Sequence, residues 1–266
     1  MVTENTVVHD WDWWAYQFRV VHRQGIVGID TWDDYLVAFI VHVLNLEPGE
    51  RLLDLASGSG VHARRLARYG LEVVGLDIAP SLVRYCTGQA AAEGLDDVTF
   101  VEGDMRALTY RQEFDAVIVL STSFGFFDDE TNQRVLDSMA RALKPGGRVL
   151  LQLLDPVTFV EWLTQSATQR EERAEGVYLT EARFDPATFV CHGVFRFTDN
   201  DGVTHLWDDH ERVRIYTLPE LRCMFDRAGL ETSAAYGDIL LPPVEYGPDC
   251  HRQMIVVGKR IGSVQT

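Results

Sequence analysis

Between residues 51 and 155, short apolar runs alternate with segments patterned as helices, and very few folds accept that rhythm. RLLDLA (51–56), LEVVGLD (71–77), DVTFVEGD (97–104), FDAVIVLS (114–121) and RVLLQLLD (148–155) each read as a strand. VHARRLARYG, SLVRYCTGQAAAEG and DETNQRVLDSMARAL carry helical spacing between them; Gly70 closes the first and Lys144-Pro145-Gly146-Gly147 the last. Strands that are apolar along their whole length are buried on both faces, so they belong to a parallel sheet covered by helices. The handedness of βαβ crossovers makes that sheet doubly wound. A ligand would then sit outside the carboxyl ends of the strands. The loops after Leu55, Leu76, Val101 and Leu120 share that rim.

The rhythm breaks at Asp155. Residues 157–171 read as a helix, and VYLTEARFD, TFVCHGVFRFTDN and VTHLWDDHERVRIY as three antiparallel strands, the last two joined by an Asp199-Asn200-Asp201-Gly202 turn. The α/β pattern then resumes. TLPELRCMFDRAG is a helix with Thr217 as N-cap and Pro219 early in it, and ETSAAYGD and RQMIVVGKR are the final strands. The expected architecture is α/β, a doubly wound, mostly parallel sheet of about seven strands with an inserted antiparallel β lid. Its segments are an N-terminal aromatic cap (1–34), a core (35–155), the lid (156–215) and a C-terminal completion of the core sheet (216–266). The core opens with a helix from Trp32 to Leu46 that buries Leu36, Phe39, Ile40, Val43 and Leu44 and ends at Glu47-Pro48-Gly49.

The chain carries 24 basic against 40 acidic residues, a net charge of −16. Such a field repels phosphate backbones and anionic headgroups, so neither nucleic acid nor membrane is the expected partner; a small molecule is. No apolar run approaches the roughly 20 residues that span a bilayer. The four cysteines show no C-x-x-C spacing, and Cys191-His192 and Cys250-His251 lack zinc-site spacing. Reduced thiols, a cytoplasmic location and no metal are expected.

Gly58, Gly60 and Ala63 fit a G-x-G-x-x-G/A loop, which alone leaves three readings open: a tight turn, a nicotinamide or flavin site, or an S-adenosylmethionine site. Asp54, four residues before Gly58, would repel a pyrophosphate but could receive an ammonium group, directly or through water. Asp77 ends the second strand, where an acid can accept from both ribose hydroxyls. Gly103-Asp104-Met105 ends the third, where an acid can take an adenine amino group and Met105 pack on the ring.

Taken in order, D54-L-A-S-G-S-G60, L76-D77, G103-D104-M105, F114-D115-A116-V117 and L143-K144-P145-G146-G147 resemble the class I S-adenosylmethionine-dependent methyltransferases, over residues 35–154 and the last two strands. The resemblance implies a Rossmann-like core and S-adenosylmethionine as cofactor, with S-adenosylhomocysteine as product. It places the cofactor against Asp54, Ala56, Gly58, Ser59, Gly60, Asp77, Ile78, Gly103, Asp104, Met105, Leu120 and Ser121. S123-F124-G125-F126-F127-D128-D129 and R214-I215-Y216-T217-L218-P219-E220-L221 are similar to bacterial members acting on sugars, amines and natural products, in which a lid follows the fifth strand. Ala56 stands where the family has its first loop glycine, which is tolerable at negative φ. Phe126 stands where tyrosine is common.

The activity so implied is methyl transfer to nitrogen or oxygen of a small metabolite by direct displacement. A repurposed enzyme of the same fold (cyclisation, elimination) and a non-catalytic binding module are the alternatives. Asp54 argues against a nicotinamide enzyme. Charge, and the lack of an N/D-P-P-Y motif after the fourth strand, argue against nucleic-acid methylation. Candidates for a base are His9, Tyr16, His205, His210, Asp155 and Glu211. His210 leads because the lid should face the transferred methyl, and Tyr16 follows on resemblance. Trp14, Phe124, Phe127, Arg214 and Tyr216 are the expected substrate contacts. Trp11, Trp14 and Phe18 share one helical face, which suits packing or a homo-oligomer contact; His62 is expected to pack at the helix start.

Overall fold

Seven of the apolar runs form one sheet in the computed structural model, which describes residues 6–8, 31–174 and 176–261, with side chains omitted at Val8, Thr31, Arg173 and 207–211. Its strands are β2 (Arg51–Leu55), β3 (Glu72–Asp77), β4 (Val98–Glu102), β5 (Phe114–Val119), β6 (Leu143–Leu153), β11 (Leu230–Tyr236) and β12 (Met254–Arg260), in the order β11-β12-β6-β5-β2-β3-β4. β2 through β6 run parallel, β12 is antiparallel to β6, and β11 is antiparallel to β12.

The period of two along these strands sorts residues onto two buried faces. Leu53, Leu55, Val117, Val119, Val149 and Leu151 pack with helices α4 (Asp129–Ala142) and α6 (Leu218–Arg227), through Leu136, Met139, Leu221 and Phe225. Leu52, Ala116, Ile118 and Leu150 pack with α1 (Thr31–Leu44), α2 (Val61–Ala67) and α3 (Pro80–Ala92), through Phe39, Ile40, Leu66 and Cys86. Both faces being dry explains why the runs are apolar throughout.

The second sheet has the order β1-β10-β9-β8-β7, built from β1 (Thr6–Val8), β7 (Thr168–Arg173), β8 (Gly176–Asp185), β9 (Val190–Asp199) and β10 (Thr204–Arg214). Helix α5 (Pro156–Ser166) connects β6 to it. Two expectations change here. The helix expected to reach residue 171 stops at Ser166, and TQREER becomes a strand paired antiparallel with residues 176–181. Its residues suit a helix locally, and cross-strand pairing overrides that preference. Thr6–Val8, from the expected aromatic cap, adds a parallel strand beside Thr204–Leu206.

Phe159 of α5, Val213 and Ile215 form a small apolar cluster with Phe126, Leu163, Phe184 and Cys191 packed against it, and this joins the second sheet to the first. β10 ends at Arg214, where its N–H donates to the Gly125 carbonyl (2.8 Å). α6 then begins with a capping box: the Glu220 carboxylate accepts from the Thr217 N–H (2.7 Å) and Thr217 Oγ1 accepts from the Glu220 N–H. Among the described residues, no helix is long and apolar enough to cross a membrane.

Candidate active site

β2 lies between β3 and β5, with Leu55 opposite Leu76 on one side and Val119 on the other. Its carboxyl end therefore delivers the ASGSG loop (56–60) to the middle of the rim. Several bonds stitch the loop down. Ser57 N–H donates to the Leu76 carbonyl (3.1 Å), Gly60 N–H to the Ser57 carbonyl (2.8 Å), and Gly58 N–H to Asp77 Oδ2 (2.9 Å). Arg64 Nη1 donates to the Ser59 carbonyl (2.8 Å) and the Cys86 thiol to the Gly58 carbonyl (3.2 Å). Burial pushes that thiol up to about 12, so it stays protonated and donates.

The glycines are required by geometry. Gly58 and Gly60 have φ of +54° and +65°, and Gly60 precedes α2 directly. Ala56 also has positive φ, +56°, which corrects the expectation of negative φ there. The loop keeps the path that a glycine would give it, and the alanine carries the strain of the left-handed region. Ala56→Gly is therefore expected to stabilise the fold by about 0.5 kcal/mol, the left-handed penalty less the entropy of the added glycine. Chemical denaturation measures it, and a destabilised variant would show that the alanine methyl packs usefully.

Two carboxylates flank the loop in opposite conditions. Asp54 is 2% exposed, and its Oδ2 finds no hydrogen-bond donor among the described residues. Burial pushes its carboxyl up to about 7; the nearby His62 opposes that rise and Asp77 adds to it. A buried acceptor without a donor is a strong site for a ligand cation. Asp77 is buried too, yet its oxygens accept from the N–H groups of Gly58 and Ala79, both at 2.9 Å. Burial raises its carboxyl, and these amides pull it back. Each oxygen keeps a lone pair for a further donor, so Asp77 can both shape the loop and hold a hydroxyl.

Asp104 caps the 3-10 turn Met105–Ala107 and accepts from the Arg106 N–H (2.8 Å) and its guanidinium (2.6–3.0 Å). Arg106 holds the Asp104 carboxyl below its ordinary range. The same guanidinium lies 4.8 Å from the Phe127 ring centroid. Gly103 N–H donates to the Asp77 carbonyl (2.9 Å), fixing this turn beside β3. Met105 is half-buried, and Ile78 and Ser121 are exposed on the rim. His62 faces Asp33 of α1 at 3.3 Å.

Beyond Leu120, which is buried, the rim becomes polar. Ser121 N–H donates to Gln152 Oε1 (3.1 Å), and Gln152 Nε2 donates to Gln253 Oε1 (2.7 Å). Asp155, just past β6, is 1% exposed and caps α5 by accepting from the Thr158 N–H (2.8 Å). It also receives a short hydrogen bond from the Tyr246 hydroxyl and lies 3.4 Å from His251 Nδ1. Thr158 Oγ1 donates to the His251 carbonyl (2.6 Å) and lies 3.1 Å from its Nδ1. Only Asp155 of this group is a residue for which the sequence suggests chemistry. Cys250-His251 was legible merely as a rejected metal pair, and the Asp155-Pro156 helix start was the available signal for the rest.

Several expected substrate contacts lie elsewhere. Phe124 is 1% exposed and Tyr216 3%, with ring centroids 5.8 Å apart inside the core. The Tyr216 hydroxyl donates to Asp129 Oδ1 (2.8 Å) and accepts from Asn132 Nδ2 (2.9 Å). Arg214 pairs with Asp129 and Glu220 and stacks 4.7 Å from the Tyr216 ring. Phe124, Arg214 and Tyr216 thus fasten the end of β10 to α4 and α6, with Phe124 and Tyr216 buried and Arg214 half-buried. Phe127 is half-buried. His205 stacks on Phe197 near the β9–β10 turn, nine residues from Arg214 and so roughly 30 Å along the strand. His9, Trp14 and Tyr16, together with the side chains of His210 and Glu211, lie outside the described residues; the backbone of His210 falls in the irregular stretch of β10 between Trp207 and Glu211.

Residues 52–147 match the family described as "Methyltransferase domain". The chain is 34% identical over 218 residues, 80% of it and 84% of the relative, to the cypemycin N-terminal methyltransferase of a Streptomyces species. It is 28% identical over 192 residues, 70% of it and 77% of the relative, to the dTDP-3-amino-3,4,6-trideoxy-alpha-D-glucopyranose N,N-dimethyltransferase of Streptomyces venezuelae. In fold it is similar to the CcbJ methyltransferase of Streptomyces caelestis, with a TM-score of 0.70 at 22% identity over 86% of this chain and 90% of that one.

Proposed function

Because this chain belongs to the S-adenosylmethionine-dependent methyltransferases, we propose that it methylates a nitrogen of a small amine-bearing metabolite. Methyl transfer to nitrogen or oxygen of a small molecule is the activity of the family as it extends over this chain. The choice of nitrogen rests on two relatives that cover 80% and 70% of the chain, whose names specify an N-terminal methyltransferase and an amino-sugar N,N-dimethyltransferase. S-adenosylmethionine supplies a methyl group already activated on a sulfonium, and S-adenosylhomocysteine is the expected product.

The observation that carries the reading is the donorless Oδ2 of buried Asp54 beside the left-handed Gly58 and Gly60. It suits the ammonium of the cofactor's amino-acid end, and the loop amides suit its carboxylate. Asp77 would hold the ribose, with Ile78 beside it. Asp104 and Met105 would face the adenine. Leu120 and Ser121 would close the side toward the acceptor. The rest of the task is alignment and exclusion of water, which the two sheets meeting at this rim can provide. We read the compartment as cytoplasmic, since all four cysteines are free thiols, and the charge of −16 as disfavouring nucleic acid and anionic membranes.

Calorimetry with S-adenosylmethionine, S-adenosylhomocysteine and NADH tests the cofactor. The first two should bind and the third should not. Binding of NADH alone would overturn the assignment. Asp77→Ala should weaken S-adenosylmethionine by about 1.5–3 kcal/mol, the worth of charge-assisted hydrogen bonds to the ribose. An unchanged dissociation constant in a folded variant would remove Asp77 from the site and leave it only as a loop brace.

A further inference from the structure

His251 stands at a point of the rim where its protonation form is dictated by its neighbours. Thr158 Oγ1 has one proton and gives it to the His251 carbonyl at 2.6 Å. At its 3.1 Å contact with His251 Nδ1, the hydroxyl can therefore only accept, so Nδ1 carries the hydrogen. Asp155 Oδ1, 3.4 Å from the same nitrogen and fully buried, favours that form as well. Asp155 is itself fixed by the Thr158 N–H and the Tyr246 hydroxyl. A neutral ring with its hydrogen on Nδ1 has its lone pair on Nε2, and Nε2 has no partner among the described residues.

The ring is about one-third exposed and lines a cleft of about 520 Å³. Three carboxylates, Glu161, Asp238 and Asp249, face one guanidinium, Arg252, around that cleft. Arg252 lies 3.4 Å from Asp238, and neither Glu161 nor Asp249 has an ion-pair partner among the described residues. Leu240 and Val244 supply an apolar wall. The cleft thus suits a cation on an apolar body. It also opens at the right place. Asp155 follows β6, whose Gln152 receives the Ser121 N–H at the tip of β5, and β5 adjoins β2, which carries Asp54. Two strand spacings separate β6 from β2, roughly 10 Å.

We propose that this cleft receives the acceptor amine and that His251 Nε2 takes its proton, with Asp155, Thr158 and Tyr246 as positioning residues. The inference rests on the methyl-transfer reading above. An ammonium has no lone pair with which to accept a methyl group. The proton passes from the acceptor nitrogen to Nε2, the N–H electron pair stays on nitrogen as its lone pair, and the imidazolium, balanced by Asp155, returns the proton to solvent. Asp155 plays the part that a carboxylate plays behind any histidine base: it fixes the ring's tautomer and orientation.

Two measurements separate this inference from the reading it rests on. Long-range ¹H–¹⁵N NMR of the ¹⁵N-labelled protein, with His251→Gln used for assignment, should show the neutral His251 ring protonated at Nδ1. Protonation at Nε2 would overturn the proposal, and no acceptor is needed to see it. Next, a peptide with a free N-terminus and a dTDP-amino sugar serve as probes with methyl-labelled S-adenosylmethionine. His251→Gln should lower kcat about 100-fold on whichever is methylated, while calorimetric affinity for S-adenosylmethionine stays within about twofold. Imidazole should restore turnover to His251→Ala. A kcat within about threefold of wild type would overturn the base. If the wild type binds S-adenosylmethionine and methylates neither probe, the choice of amine acceptors fails, and the NMR form still decides His251.

Discussion

At pH 8 the Asp54→Asn variant should be about 2 kcal/mol more stable than the wild type without ligand, and should bind S-adenosylmethionine about 100-fold more weakly. Both effects come from one buried carboxylate. Burial holds its pKa at about 7 in the folded protein, against 3.8 for the free side chain. Below pH 4 both states are protonated, and the group costs nothing. Between 3.8 and about 7 the folded protein binds a proton that the unfolded chain has released, so the contribution to stability falls as pH rises; above 7 the full cost is in place. At 1.36 kcal/mol per pH unit this is worth about 4 kcal/mol, and an asparagine amide without partners takes back about 2. The advantage of the variant should therefore grow from pH 4 to 7 and then level off, as chemical denaturation at several pH values would show. A difference independent of pH would mean that Asp54 titrates normally.

The same argument fixes the sign of proton linkage in binding. An ammonium beside Oδ2 favours the ionised carboxylate, so binding near pH 7 should expel protons from Asp54. Calorimetry in buffers of different ionisation enthalpy counts them. Binding without proton release would put the ammonium elsewhere on the rim. A position that destabilises the empty protein and tightens the liganded one is expected of a site, not of a core.

The parallel half of the fold was legible because burial on both faces leaves an unbroken apolar signature, as in Val117–Leu120 and Val149–Leu151. β7 was not: TQREER is a polar edge strand whose partner, residues 176–181, alone defines it. The glycine spacing located the loop, but the sign of φ at Ala56 depends on the path of the chain over β3, which no residue type records. Phe124, Arg214 and Tyr216 have side chains suited to substrates. What each of them touches is set by α4, α6 and β10 together. The Asp155–His251 contact joins residues 96 positions apart, and Thr158 reaches His251 over 93. Local pattern carries no trace of such a pair.

The second large effect is expected at Gly60, where Gly60→Ala should destabilise the fold by about 3 kcal/mol. The residue has φ of +65°, which costs an L-residue about 1–2 kcal/mol. A Cβ there would also stand 2.5 Å from Cε1 and Cζ of Phe100 and 3.0 Å from Cys86 Sγ. The ring has little freedom to move away. It is 8% exposed, and a Cβ on Gly75 would meet it at 2.6 Å from another side, so two glycines on neighbouring segments make its seat. Forcing it out adds the usual cost of overpacking, about 1–3 kcal/mol. The two contributions separate in a double-mutant cycle. Phe100→Leu shortens the obstacle and leaves φ untouched, so in the Gly60→Ala background it should restore about 1.5 kcal/mol relative to its own effect in the wild type. Strict additivity would mean that backbone strain alone forbids the side chain. Coupling would mean that Phe100 sets the height of the loop, and thereby where the amides of Gly58 and Gly60 meet whatever lies on the rim.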